Sequence, residues 1–193
     1  MIRRILFSIS ILFTISLISV YGIPKSIEVE NLEVDSLLSL AHKSRYNNPL
    51  LSLKYSDIAS KKAMAQNDSE KLADAYNNTG IIYFHWGIYE YAMNYFWKAY
   101  NIYSELSHAD KHSKVLNNFA ICAYVLKRPD IALDLLEKSL SVQTQLQNFQ
   151  NIADIYNNKG TILSNLNQHE LASEYFSKSL NLCDSLQYIK GKA

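Results

Sequence analysis

The sequence predicts an all-α protein, a solenoid of stacked antiparallel helix pairs. Three observations carry that expectation. The 193 residues contain only 5 Gly and 3 Pro, too few turn formers for a many-stranded β fold. A single pattern recurs without a gap every 40 residues: Asn-Asn at 77–78, 117–118 and 157–158, then Gly80, Ala120 and Gly160, then Ala92, Ala132 and Ala172, then Phe96, Leu136 and Phe176, then Lys98, Lys138 and Lys178. Each period holds two stretches with apolar residues at helical spacing. One helical hairpin cannot bury its own apolar face, whereas several in a row share a continuous core.

Residues 1–22 stand apart from this pattern. Arg3 and Arg4 open the chain, 5–20 is an apolar run softened by Ser and Thr, and Val20-Tyr21-Gly22 offers modest residues before a cut after Gly22. That layout is a secretory signal peptide. An uncleaved membrane anchor is the competing reading, because 5–24 carries no charge and barely spans a bilayer core of ~30 Å. Either way the remainder is expected outside the cytoplasm, periplasmic or facing the periplasm. Residues 23–32 read as a linker, and 33–192 divide into four units, 33–72, 73–112, 113–152 and 153–192. Pro49 and Pro129, two periods apart, extend the register into the first unit.

Within the second unit the spacing predicts a helix over 73–86, a break at Gly87 and a second helix over 89–107. Pro49 and Pro129 fall at the entry of the second helices, where a missing N–H costs nothing. Glu90, Asp130 and Glu170 suit the positive end of the helix dipole. Asp134–Lys138 and Glu174–Lys178 form four-apart pairs on an outer face. The small residues at 80, 120 and 160 and at 92, 132 and 172 mark close helix approach, with Phe96, Leu136 and Phe176 filling the adjacent space.

These residues give a family resemblance. The segment 77–99, NNTGIIYFHWGIYEYAMNYFWKA, resembles a tetratricopeptide repeat, with Gly80, Tyr83, Gly87, Ala92, Phe96 and Ala99 in that family's order. Gly160, Ala172 and Phe176 match in the fourth unit. The third has Ala120 and Ala123 where Gly and Tyr are usual, and the first keeps Ala59 but has Leu40 and Ser52. The usual repeat is 34 residues, and the additional six resemble the longer repeats of peptide-sensing regulators and kinesin light chains. The resemblance implies a right-handed superhelix whose first helices line a concave face. It also implies a module that binds a protein or an extended peptide. A signal segment before such repeats is similar to the front half of bacterial membrane sensors, and an envelope-assembly scaffold is the alternative. Helix 171–187 has no following partner, so either a longer protein or an oligomer is expected to cover it.

Composition narrows the function classes. Hydrophobic residues make up 48%, charged residues 19%, and the formal net charge is +1. No basic excess is available for phosphate neutralisation, which argues against nucleic acid. Phosphate-loop, dinucleotide and nucleophile-elbow motifs are missing, so no catalytic residue, enzyme activity or cofactor is expected. Cys122 and Cys183 are too few for a disulfide framework or a four-ligand zinc site and read as free thiols. His108 and His112 have metal-ligand spacing but lack the Glu of a zinc-protease motif, and read as an exposed surface pair.

The asparagine pairs remain. Asn costs ~0.5 kcal/mol against Ala in a helix interior, so its recurrence needs a return. The resemblance places Asn77, Asn78, Ile81, Phe84, Asn117, Asn118, Ile121, Tyr124, Asn157 and Asn158 on the peptide-binding face. A second reading is an internal ladder, each amide bonding to the next unit; the two readings are compatible. At ~1 kcal/mol per net hydrogen bond, three Asn contacts fall short of the ~8 kcal/mol of a micromolar complex. Apolar anchors such as Ile81, Phe84, Ile121 and Tyr124 are therefore required. Tyr89, Tyr91 and Trp97 read as exposed and available for a convex contact.

Overall fold

The computed structural model describes residues 29–190. Eight helices fill Val34 to Lys190: α1 Val34–Ser44, α2 Pro49–Ala65, α3 Ser69–His85, α4 Tyr89–Glu105, α5 Ala109–Val125, α6 Pro129–Gln145, α7 Phe149–Asn165 and α8 His169–Lys190. Among the described residues there is no strand. The proposed signal segment, 1–22, lies outside them.

The helices α2 to α7 are each 17 residues long and begin every 20 residues. The joint between them is the same each time. Asn67, Gly87, Ser107, Lys127, Gln147 and Asn167 have φ of 55, 74, 57, 62, 52 and 61°. At every joint the second residue beyond the helix cap bonds back to the carbonyl five positions earlier, as in Asp68 N–H to Ala63 O (2.8 Å), Ile88 N–H to Tyr83 O (3.0 Å) and Gln168 N–H to Leu163 O (3.0 Å). This is a Schellman closure, built around a left-handed residue. Five of the six left-handed positions are not glycine, so each carries a conformational cost of roughly 1 kcal/mol that the closing hydrogen bonds offset.

Helix starts follow local chemistry. Asn48, Asp68 and Asn148 accept the N–H three residues on and cap α2, α3 and α7, and Pro49 and Pro129 open α2 and α6 as expected. The expected helix over 73–86 begins four residues earlier, at Ser69, because Asp68 caps it. The expected 89–107 helix stops at Glu105, where the left-handed Ser107 turns the chain.

Neighbouring helices pack antiparallel, and the first helices of adjacent pairs, α1, α3, α5 and α7, touch in sequence while α2, α4, α6 and α8 touch one another less. The first helices therefore form the inner wall. The small residues act as anticipated. A Cβ on Gly80 would lie 2.6 Å from the Phe96 ring, and one on Gly160 2.7 Å from the Phe176 ring. Ala120 and Leu136 are fully buried at the equivalent contact. A second close approach joins Ser113 to Ser139, whose hydroxyls lie 2.8 Å apart, and Ser179 to the carbonyl of Ala153 at 2.8 Å.

Ion pairs tie one hairpin to the next. Lys111 on α5 reaches Glu70 (2.8 Å) and Asp74 (2.7 Å) on α3, and Asp74 also accepts from the buried Tyr103 hydroxyl at 2.6 Å. The Lys111 hydrogen bond holds the Glu70 carboxyl below its ordinary value of 4.5. Burial would raise Asp110, but hydrogen bonds from Lys114, Gln143 and Asn148 outweigh it and lower that carboxyl from 3.8. A carboxylate lowered by folding contributes stability that is complete above its unfolded value and is lost as pH falls through the lowered one.

Two outcomes follow from this packing. Gly80→Ala, followed by urea unfolding, should lose about 1–3 kcal/mol because the Phe96 ring has nowhere to move. Gly160→Ala should lose less, since Phe176 is 38% exposed and its ring can swing outward. In a pH series, the melting temperature should be flat above the ordinary values of Glu70 and Asp110 (4.5 and 3.8) and fall below them. Lys111→Met should remove the Glu70 part of that fall.

Candidate functional site

The inner wall holds two adjoining cavities. One, of about 230 Å³, is lined by Ile81, Phe84, Phe96 and Ile121 with Arg45, Tyr46, His85 and Asn118 around them. The other, of about 290 Å³, is lined mostly by polar groups: Asn77, Asn117, Asn118, Lys114, Gln143, Asn151 and Asp154, with Ile81, Ser139 and Ile155. Ile81 and Asn118 line both, so the cavities form one trough that is apolar at the α3 end and amide-rich toward α7.

The asparagine ladder is present. Asn118 on α5 donates from Nδ2 to Oδ1 of Asn77 on α3 at 3.2 Å, and Asn158 on α7 donates to Asn117 on α5 at 3.0 Å. Each rung spans 41 residues, one period plus one, so the second Asn of a pair meets the first Asn of the preceding pair. The upstream end differs because the first unit carries no Asn pair on its inner helix. There Asn78, 5% exposed, donates to Ser52 (3.1 Å) and Ser56 (2.7 Å) and accepts from Arg45 Nε (2.7 Å). A rung uses only half of each amide. The Nδ2 of Asn77 and the Oδ1 of Asn118 have no hydrogen-bond partner among the described residues, and both residues line the trough.

Of the ten residues expected on the binding face, Asn77, Ile81, Phe84, Asn117, Asn118 and Ile121 line the trough. Four do not. Asn78 is buried behind it, with its amide spent on Arg45 and the two serines. Asn158 is committed to its rung, Asn157 is exposed beyond the cavities, and Tyr124 packs half-buried against the core of α5 and α6. Arg45 and Tyr46 were not foreseen. They belong to the turn after α1, in the unit whose resemblance is most degraded, and only Tyr46 against His85 (ring centroids 5.3 Å apart) shows their place. Gln143 and Asn151 were missed as well; they meet each other (3.2 Å) and Asp110 in an amide cluster at the polar end. Burial pushes the Asp154 carboxyl up beside them.

Other expectations resolve as follows. Tyr89 is half-buried, against Phe84 at 5.5 Å, rather than exposed; Tyr91 (60%) and Trp97 (51%) are exposed. His108 sits 3.6 Å from Glu70, and His112 is half-buried over the Tyr100 ring at 4.4 Å, so the two are not a simple exposed pair. Burial lowers the His112 pKa, and its Nε2 has no hydrogen-bond partner. Among the described residues no group of three His, Cys, Asp or Glu is placed to hold a metal ion. Cys122 is buried, with its thiol pushed up to about 12, and Cys183 is half-buried; both are free. No described helix is long and apolar enough to cross a membrane.

This arrangement defines an all-α helical-repeat protein. Residues 112–185 match the tetratricopeptide repeat family. The crystal structure of BtubC (BKLC) from P. vanneervenii is 18% identical and superposes with a TM-score of 0.69, covering 92% of this chain and 73% of that one. Aspartyl phosphate phosphatase F from Bacillus subtilis is 16% identical with a TM-score of 0.74, covering 86% of this chain and 43% of that one. A Podosopora anserina protein of nearly identical TPR-like repeats is 12% identical with a TM-score of 0.62, covering 84% and 83%. At these identities the likeness is one of fold. No curated protein matches the chain. The helix-pair layout, the matched segment and these structures together fit a tetratricopeptide-repeat protein, a fold that points to a protein-binding repeat module and indicates no enzyme family.

The ladder yields its own test. Asn78→Ala strands Arg45 Nε and two buried hydroxyls and should cost about 2–3 kcal/mol, while Asn118→Ala breaks one half-exposed rung and should cost about 1 kcal/mol. Equal losses in chemical denaturation would contradict this division of labour.

Proposed function

We propose that this protein is an exported, non-catalytic repeat module that holds an extended peptide or protein segment in the trough of α3, α5 and α7. The observation that carries the reading is the continuity of an apolar cavity with a row of half-used amides. A peptide needs both. Backbone N–H and C=O groups of an extended chain match the unspent Asn donors and acceptors, while one apolar side chain fits between Ile81, Phe84 and Ile121. Since a rung takes half of each amide, the hydrogen bonds alone supply less than a micromolar complex needs, and the apolar cavity supplies the remainder. Arg45 and Lys114 near the two ends add positive charge to an otherwise neutral trough.

Export rests on residues 1–22, whose charged start, apolar run and Gly22 site have the signal-peptide layout. With an exported repeat array, the sensor part of a bacterial membrane signalling protein is the role this composition fits best. That role makes the bound segment an extracytoplasmic signal.

The test is a peptide selected by display against the purified protein and measured by calorimetry. Ile121→Ala and Phe84→Ala should each weaken it at least tenfold with an unchanged melting temperature, and full retention of affinity would refute the trough. N-terminal sequencing of protein recovered from the producing cell should begin at Ile23. An intact Met1 would refute cleavage.

A further inference from the structure

The opposite surface carries a site the trough does not use. Between α2 and α4, over the outer side of α3, lies a cavity of about 560 Å³. Tyr83 and Tyr95 stack at 5.6 Å and 12°, with Tyr76 5.9 Å from Tyr95, and make an aromatic wall. Lys98 holds its ammonium over two of these rings, 5.4 Å from Tyr76 and 5.0 Å from Tyr95. Lys54 and Lys61 also line the cavity, and of the three lysines only Lys61 has a carboxylate partner among the described residues, Asp57 at 2.7 Å.

The repeat supplies an internal comparison. Lys138 and Lys178 occupy the position of Lys98 in the next two units, and each is neutralised by an acid four residues earlier, Asp134 and Glu174. The fourth unit even repeats the ring pair, Tyr156 and Tyr175 at 5.8 Å with Lys178 5.0 Å over Tyr175. In the second unit the acid's place is taken by Asn94. Here alone among these three positions the geometry is kept and the neutralising charge is missing. An ammonium resting on aromatic faces is attracted by the rings but retains its charge toward a ligand.

We infer that this convex cavity binds a small organic anion carrying a ring, with the ring against the tyrosine wall and the anionic group on Lys98 and Lys54. The volume lies within the ~300–1,000 Å³ range of small-molecule sites, and an apolar wall with a few convergent charges is their usual chemistry. Tyrosine faces alone take a neutral ring, and lysines alone take a bare anion; the site rewards the two in one molecule.

Phenyl phosphate is the probe, with phenol and inorganic phosphate as its two halves, each titrated into the isotope-labelled full chain and followed by NMR. Phenyl phosphate should give saturable shifts at Tyr76, Thr79, Tyr83 and Tyr95, with an affinity at least tenfold above either half. Asn94→Glu, an exposed substitution that recreates the acid of the other units, should weaken it at least tenfold while leaving the melting temperature unchanged or higher. Lys98→Gln should do the same, and Lys138→Gln should have no effect. Equal affinity for phenyl phosphate and inorganic phosphate, shifts mapping to the trough, or full binding by Asn94→Glu would overturn the assignment.

Discussion

A left-handed residue every twenty positions governs this molecule. It stops each 17-residue helix at the same phase and sends the chain back at the same angle. Because that phase repeats, a glycine in one helix always meets a bulky residue in the next, as Gly80 meets Phe96 and Gly160 meets Phe176. The same phase brings the second asparagine of one pair to the first of the pair before it. Helix propensity alone would give separate helices of uncertain length; the closing hydrogen bonds of each turn fix where they end.

The trough is a consequence of this regularity and not a separate construction. Equivalent inner-wall positions are brought side by side, so any residue type repeated at period 40 becomes a row. Asparagine suits such a row because an amide has both a donor and an acceptor. One half links the units and the other half faces outward, which reconciles the ladder with a binding role. The apolar end arises where the pattern lapses. The first unit has no asparagine pair on its inner helix, and Arg45 and Tyr46 border a cavity floored by Ile81, Phe84 and Ile121.

Legibility in the sequence followed the same division. The period of 40 was readable because Asn-Asn, the small residues and the Phe or Leu positions keep their identity. The half-period of 20 was not, since its marker is a backbone conformation. Asn67, Ser107, Lys127, Gln147 and Asn167 all adopt the left-handed state, and only Gly87 announced it. Helix α3 begins at Ser69 although its first turn, Ser-Glu-Lys-Leu, has little apolar periodicity; Asp68 as a cap was the overlooked signal. Tyr89 was read as exposed because neighbours on its helix are, but Phe84 across the Gly87 turn covers it. Arg45 and Tyr46 sit in a turn of a degenerate unit, where no repeat position pointed to them. Lys98 stood in the repeat list from the start. Its distinction lay one helical turn back, in an asparagine where the other units place an acid.

The most direct measurement is the backbone conformation of the free protein in solution, obtained from NMR chemical shifts and short-range proton contacts at Asn67, Gly87, Ser107, Lys127, Gln147 and Asn167. Positive φ at all six is the expected result. A negative φ at any of the four interior turns, from Gly87 to Gln147, would break the common phase and with it both the ladder and the trough.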